Sequence, residues 1–244
     1  VTIESILLNT VPIATYTGPQ HLTNATGFFF ERDARTFLVT SRHVVVDAAC
    51  SHYPDQLAIE IHTDPENVAK TTGFSIPLYR DRRSLWRQGR DGAGGVDVAT
   101  IEIDRSALPE NAVFRSFTPN HLPSGDERVE IGTPVVILGF PLGFHDALHR
   151  IPVARQAIVA SSFGLRFQGE GYFLTDARTH RGSSGSPVVM RTAQPRADDP
   201  TLPWRLLGVH SARLDVGGRE LNEDEALGLN CAWYADILLT LTED

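Results

Sequence analysis

Methionine occurs once and cysteine twice in this 244-residue chain. No apolar run approaches the ~18 residues that a membrane-spanning helix requires. Two cysteines, Cys50 and Cys231, are too few for a secreted disulfide scaffold, so two free, buried thiols are expected, with a single bridge left open. Positive charge is also short: 22 Lys and Arg against 30 Asp and Glu leave a net −8, without the basic stripe that nucleic-acid binding needs. The opening VTIESILLNT lacks the basic start and small-residue cleavage site of a signal peptide. Because the chain starts at Val1, a signal removed upstream stays open. The expectation is a soluble protein with no membrane or nucleic-acid partner, cytoplasmic unless a signal for secretion or the periplasm preceded Val1. The length supports one sizeable core or two abutting ones, in a chain able to stand as a monomer.

Sustained 3.6-residue periodicity is scarce as well. In its place, short segments rich in β-branched and aromatic residues recur: TIESILL (2–8), TGFFFE (26–31), TFLVT (36–40), LAIEIH (57–62), VDVATIEI (96–103), PVVILGF (134–140), RQAIVASS (155–162), PVVM (187–190) and LLGVH (206–210). Turn-rich pieces separate them, so the chain reads as all-β, barrel or sandwich. WYADILLTL (233–241) is the exception, a short C-terminal helix that would pack Ile237, Leu238 and Leu241 on the barrel surface. TPNHLPSGDERVE (118–130) is polar and rich in turn formers, which marks a link between two β halves, 1–120 and 121–244.

The sharpest local signal is Gly182-Ser183-Ser184-Gly185-Ser186-Pro187, between strand-like YFLTDA and apolar VVM. Small residues around a serine let the backbone turn tightly, expose Oγ and aim N–H groups at one point. Acyl transfer needs such donors for the oxygen that becomes negative, one donor being worth roughly 3 to 4 kcal/mol. The N–H groups of Gly182 and Ser184 are the candidates. By itself such a Gly/Ser-rich hexapeptide is more often just an ordinary turn.

A serine hydroxyl is a weak nucleophile until a base takes its proton, so a histidine with an acidic orienter is required elsewhere. His43 stands at the end of the strand-like TFLVTSRHVVV, where a lone histidine is ordinarily a satisfied residue at a core edge. Asp97 stands inside the apolar GVDVATIEI. An ionised carboxylate there is costly unless hydrogen-bonded, and an imidazole N–H is a suitable partner, as are backbone amides.

Together LVTSRHVV, GVDVATIEI and TDARTHRGSSGSPVV resemble the chymotrypsin-like (trypsin-like) serine peptidases, specifically the bacterial branch with glutamyl endopeptidases and HtrA-type enzymes. The order His, Asp, Ser is that of this family. VVILGFPLG and LLGVHSAR are similar too, so the resemblance runs from about Gly27 to the C-terminus. It implies two six-stranded antiparallel β-barrels, His43 and Asp97 on the first, Ser184 on the second, and a cleft between them. It also implies a serine endopeptidase of protein or peptide substrates, working through an acyl-enzyme on Ser184 without metal or cofactor. His43 acts as general base and Asp97 holds and stabilises its ring.

Ser183 departs from the acid that animal digestive enzymes carry before the nucleophile, and Cys50 lies seven residues beyond His43, too far for the usual bridge beside it. Both departures fit a bacterial form assembled without an activating cleavage. In glutamyl endopeptidases, a Thr five residues before the nucleophile and a His in a Gly-Ile/Val-His stretch bind the substrate carboxylate; Thr179 and His210 match. The resemblance further lines the pocket with Ser211, Ala212 and Arg213. With Arg178, His180 and Arg181 nearby, a basic P1 residue is disfavoured and an acidic one gains donors, against the alternative of a small or apolar P1 residue.

Two rival readings stand. His145-Asp146-Ala-Leu-His149 has the spacing that puts two imidazoles on one helix face of a metallopeptidase, although no third ligand is evident in the sequence. The other rival keeps the two-barrel fold as a catalytically silent binding or scaffold module.

Overall fold

A computed structural model describes residues 3–125, 127–192, 201–213 and 228–243. The first half supplies β1 (Thr10–Thr17), β2 (Gln20–Arg32), β3 (Arg35–Thr40), β4 (Gln56–His62), β5 (Thr71–Pro77), β6 (Tyr79–Arg80), β7 (Arg83–Ser84), β8 (Trp86–Arg90) and β9 (Gly95–Ile103). Seven of these form one sheet in the order β5-β4-β1-β2-β3-β9-β8, every pairing antiparallel. Its outer strands, β5 and β8, are separated in the chain only by the β6–β7 hairpin, and at the hairpin's base the Leu85 N–H donates to the Leu78 carbonyl at 2.9 Å. They are thus two parts of one interrupted strand. Seven strands appear where six were expected because of this insertion. The Arg-rich stretch 78–95, legible in sequence only as a loop, is this hairpin together with β8.

The second half contributes β10 (Pro134–Gly139), β11 (Val153–Ile158), β12 (Tyr172–Thr175), β13 (Pro187–Arg191), β14 (Trp204–Arg213) and β15 (Asn230–Tyr234). They form a six-stranded sheet ordered β11-β10-β13-β14-β15-β12. A bridge between Val159 and Thr175 joins its two ends, so it also curls upon itself. The helix expected over 233–241 is shorter: Trp233 and Tyr234 belong to β15, and α2 spans Ile237–Leu241. Leu238 and Leu241 are buried, with Ile237 and Leu241 packed against Gly89 of β8. TIESILL is not a strand; Ser5–Leu8 forms a 3-10 turn that buries Ile6 and Leu8 before β1 starts.

Period-two alternation explains how the halves join. In β2, Phe28, Phe29 and Phe30 are all fully buried. Phe29 turns into the first sheet's own core with Ile13, Leu38 and Ile101. Phe28 and Phe30 turn the other way, into a cluster with Leu138, Val189, Leu206 and Val209 of the second sheet. Each such phenylalanine contributes roughly 1.5–3 kcal/mol by leaving water. A seam of this kind fixes one sheet against the other and leaves a cleft where side chains from both meet. Among the described residues, no helix is long and apolar enough to cross a membrane.

Candidate functional site

Strand register brings His43 and Asp97 together. β3 and β9 run antiparallel with Thr40 opposite Ala99, so the residues just after β3 lie beside those near the start of β9. The chain then turns into α1 (Arg42–Val45), which seats His43 over Asp97. The ring Nδ1 donates to Asp97 Oδ2 at 2.7 Å, and the His43 backbone N–H donates to Oδ1 at 2.9 Å. Asp97 Oδ2 also accepts from the Ser211 hydroxyl. Burial works against the charge of this carboxylate, but the bonds from His43, its charge and the Ser211 hydroxyl outweigh burial and hold the Asp97 pKa below its usual range. Burial likewise pulls the His43 pKa down, yet the hydrogen bond and charge of Asp97, helped by Asp47, leave it raised. With Nδ1 committed as a donor, Nε2 is the nitrogen left to take up a proton.

Ser184 sits in the turn before β13. Gly182 and Gly185 have φ of +92° and +87°, in the left-handed region that glycine tolerates. Space gives a second reason: a Cβ on Gly185 would lie 2.1 Å from the Thr26 carbonyl oxygen, and one on Gly182 would lie 2.5 Å from that of Phe140. The Ser184 hydroxyl donates to the Ser211 carbonyl at 3.1 Å. Among the described residues, the N–H groups of Gly182 and Ser184 have no hydrogen-bond acceptor, unlike their neighbours Ser183, Gly185 and Ser186. His43, Ser184 and Gly182 line one cleft of about 680 Å³, together with Asp47, Leu142 and Arg181.

Around the expected substrate pocket, Thr179 is buried and its hydroxyl donates to Asn230 Oδ1 at 2.6 Å, while Asn230 Nδ2 donates to the Ala177 carbonyl at 2.5 Å. His210 is buried, and among the described residues its Nδ1 has no hydrogen-bond partner. Burial, with a smaller effect from His43, lowers its pKa to about 4. Ser211, expected in the pocket wall, gives its hydroxyl to Asp97, and its carbonyl accepts from the Ser184 hydroxyl. The side chains of Ala212 and Arg213 lie outside the described ones. Asn230 was missed in sequence because nothing but spatial contact ties it to Thr179.

His145 and His149 stand on no helix face. Residues 146–150 form a turn closed by an Asp146–Ile151 bridge, in which His149 Nδ1 pairs with Asp146 at 2.7 Å and His145 Nδ1 donates to the Gly143 carbonyl at 2.6 Å. Among the described residues, no three His, Cys, Asp or Glu side chains are grouped to hold a metal ion. Both cysteines are free, but the expected burial fails for Cys50, which is exposed on the wall of the cleft; Cys231 is partly buried.

Residues 25–195 match the family model described as a trypsin-like peptidase domain. The chain belongs to that family. Two solved structures are similar to this trypsin-like peptidase domain. One is the serine endoprotease from Yersinia pestis, with a TM-score of 0.54, 16% identity and 96% of this chain covered. The other is the Rv3671c protease from M. tuberculosis in its active form, with a TM-score of 0.52, 16% identity and again 96% of this chain covered. The trypsin-like domain spans 61% of the first of these proteins and 79% of the second. At this identity they speak for the fold. No curated protein matches the chain.

Proposed function

We propose that this trypsin-like domain is a serine endopeptidase with Ser184 as nucleophile, His43 as general base and Asp97 as the group that orients it. The observation that carries the reading is one cleft that holds a carboxylate-anchored imidazole, a serine and two amides that have no acceptor among the described residues. His43 Nε2 takes the Ser184 proton as Oγ attacks the peptide carbonyl. The oxygen, now negative, is received by the Gly182 and Ser184 N–H groups, and His43 returns the proton to the leaving amine. Water then repeats the sequence on the acyl-enzyme. No cofactor enters these steps. The same reading divides the chain near residue 120 into a half with His43 and Asp97 and a half with Ser184.

One observation favours a silent binding module: the Ser184 hydroxyl donates to Ser211 and not to His43. A fluorophosphonate probe separates the two readings. The peptidase takes up one label, which is lost in Ser184→Ala and His43→Ala; an unlabelled wild type sinks the peptidase reading.

A finer proposal is cleavage after Glu or Asp. The buried, neutral imidazole of His210, its Nδ1 without a partner among the described residues, is suited to meet a carboxylate, and Arg178, His180 and Arg181 flank the nucleophile turn. Thr179 has its hydroxyl engaged with Asn230 and must swing to contribute. Peptides that vary only the residue before the cut provide the test. Turnover of Leu or Ala at least equal to Glu overturns the acidic preference.

A further inference from the structure

We propose that Thr26, a residue of the first sheet, is a positioning residue that keeps the two candidate oxyanion donors of the second half aimed into the cleft. The argument rests on the planarity of the peptide unit, in which N–H and C=O point in opposite directions. Whatever holds a carbonyl therefore aims the amide on the other side of the same unit. The Gly182 N–H shares its unit with the Arg181 carbonyl, which accepts from the Leu142 N–H at 2.6 Å. The Ser184 N–H shares its unit with the Ser183 carbonyl, which accepts from the Ser186 N–H at 3.0 Å. Both donors are thus set from behind.

Thr26 ties the two holds together. Its hydroxyl accepts from the Phe140 N–H at 3.1 Å, at the base of the turn that carries Leu142. The same hydroxyl donates at 2.7 Å to the Gly182 carbonyl, in the peptide unit between the two donors. The Thr26 N–H donates to the Ser184 carbonyl at 2.9 Å, and its own carbonyl accepts from the Thr40 hydroxyl at 2.8 Å, three residues before His43. The side chain is fully buried, so water cannot replace these bonds.

The turn that Thr26 supports is one that needs holding. Leu142 has φ +55° without being glycine, and the residue is 70% exposed, so burial gives it little in return. Backbone bonds from Gly143 to Phe140 and from Phe144 to Pro141 close the turn, and His145 Nδ1 grips the Gly143 carbonyl. Valine at position 26 keeps the shape of threonine but neither donates nor accepts. It would leave the Phe140 N–H and the Gly182 carbonyl without partners and free both peptide units to rotate.

The kinetic consequence rests on the peptidase reading, whereas the geometric one does not. The experiment compares wild type, Thr26→Val and Thr26→Ser by peptide turnover, fluorophosphonate labelling rate and melting temperature, and the crystal structures of wild type and Thr26→Val. Expected for Thr26→Val is a fall in kcat and in labelling rate on the order of 10- to 100-fold, because an oxyanion donor is misaimed without being removed. KM should stay within about threefold. Thr26→Ser, which keeps both hydrogen-bonding functions, should recover most of the rate. A folded Thr26→Val with wild-type kcat and labelling overturns the positioning role and leaves the peptidase reading intact. If wild type itself is not labelled, the peptidase reading fails, and the positioning claim is decided by the crystal structures. A turned Gly182 or Ser184 N–H in the variant supports it, and two unmoved ones overturn it. Should Thr26→Val not fold, Thr26→Ala serves for the same measurements.

Discussion

Asp97 grips His43 at two points, Oδ2 accepting from the ring Nδ1 at 2.7 Å and Oδ1 from the backbone N–H at 2.9 Å. The double hold fixes the rotation of the ring and its tautomer together. In Asp97→Asn, the side chain loses its charge and an amide NH₂ can face Nδ1, which favours the wrong tautomer. We expect kcat to drop by about 10³-fold or more, with fold and KM little changed. Burst kinetics and circular dichroism check this.

The pH dependence follows from the same pair. The proposed general base must be neutral to act, and the His43 pKa is raised, so kcat/KM should climb with pH through a midpoint above 6.5. Removing the Asp97 charge leaves burial as the main influence and should move the midpoint below 6.5. The NMR titration of His43 in Ser184→Ala, with and without Asp97→Asn, reads both directions.

Stability is linked to these groups with opposite signs. His43 is raised on folding, so its contribution is complete below pH 6.5 and is lost as pH rises through its folded value. Asp97 is lowered, so its contribution is complete above its ordinary value near 3.8 and is lost as pH falls through its folded value. Urea unfolding of the wild type and of His43→Ala or Asp97→Ala across pH 3 to 9 separates them: the stability gap to Asp97→Ala should narrow towards acid and that to His43→Ala towards alkali.

Gly185→Ala should destabilise the fold by more than about 3 kcal/mol, since the added methyl meets the Thr26 carbonyl and the Thr40 hydroxyl at a φ of +87°. Gly73→Ala, with open space around it and an ordinary φ, is the control and should lie within about 0.5 kcal/mol of wild type. Chemical denaturation measures both.

The two thiols should differ in reactivity. Cys50 is exposed, with its pKa raised by the hydrogen bond and charge of Asp47, whereas burial pushes the Cys231 thiol up to about 11. Titration with a thiol reagent should show one accessible group, lost in Cys50→Ser, and a second that reacts only on unfolding.

Much of this molecule was legible in its residues, for identifiable reasons. The apolar runs around Phe37 and Val98 read as strands because they are buried on both faces, and the proposed catalytic residues His43, Asp97 and Ser184 stand in local patterns a few residues long. β1 and β5 escaped notice because polar residues such as Thr15, Thr71 and Ser75 interrupt them, and β8 because arginines and Gln88 face outward from it. The misread start, TIESILL, has strand-like composition, but its apolar residues are satisfied from a turn. Thr26 could not be singled out, since its partners lie at positions 140, 182 and 184 and only the fold brings them near.

The hairpin that splits the fifth strand turns at Asp81 and Arg82, both at positive φ (51° and 63°), well outside the seam that joins the halves. Because β5 and β8 keep their own registers with β4 and β9, this tip is a natural port of entry into the scaffold. A peptide tag or small domain spliced between those two residues should be accepted with the cleft intact, making the β6–β7 tip a handle for tethering the protein to a surface.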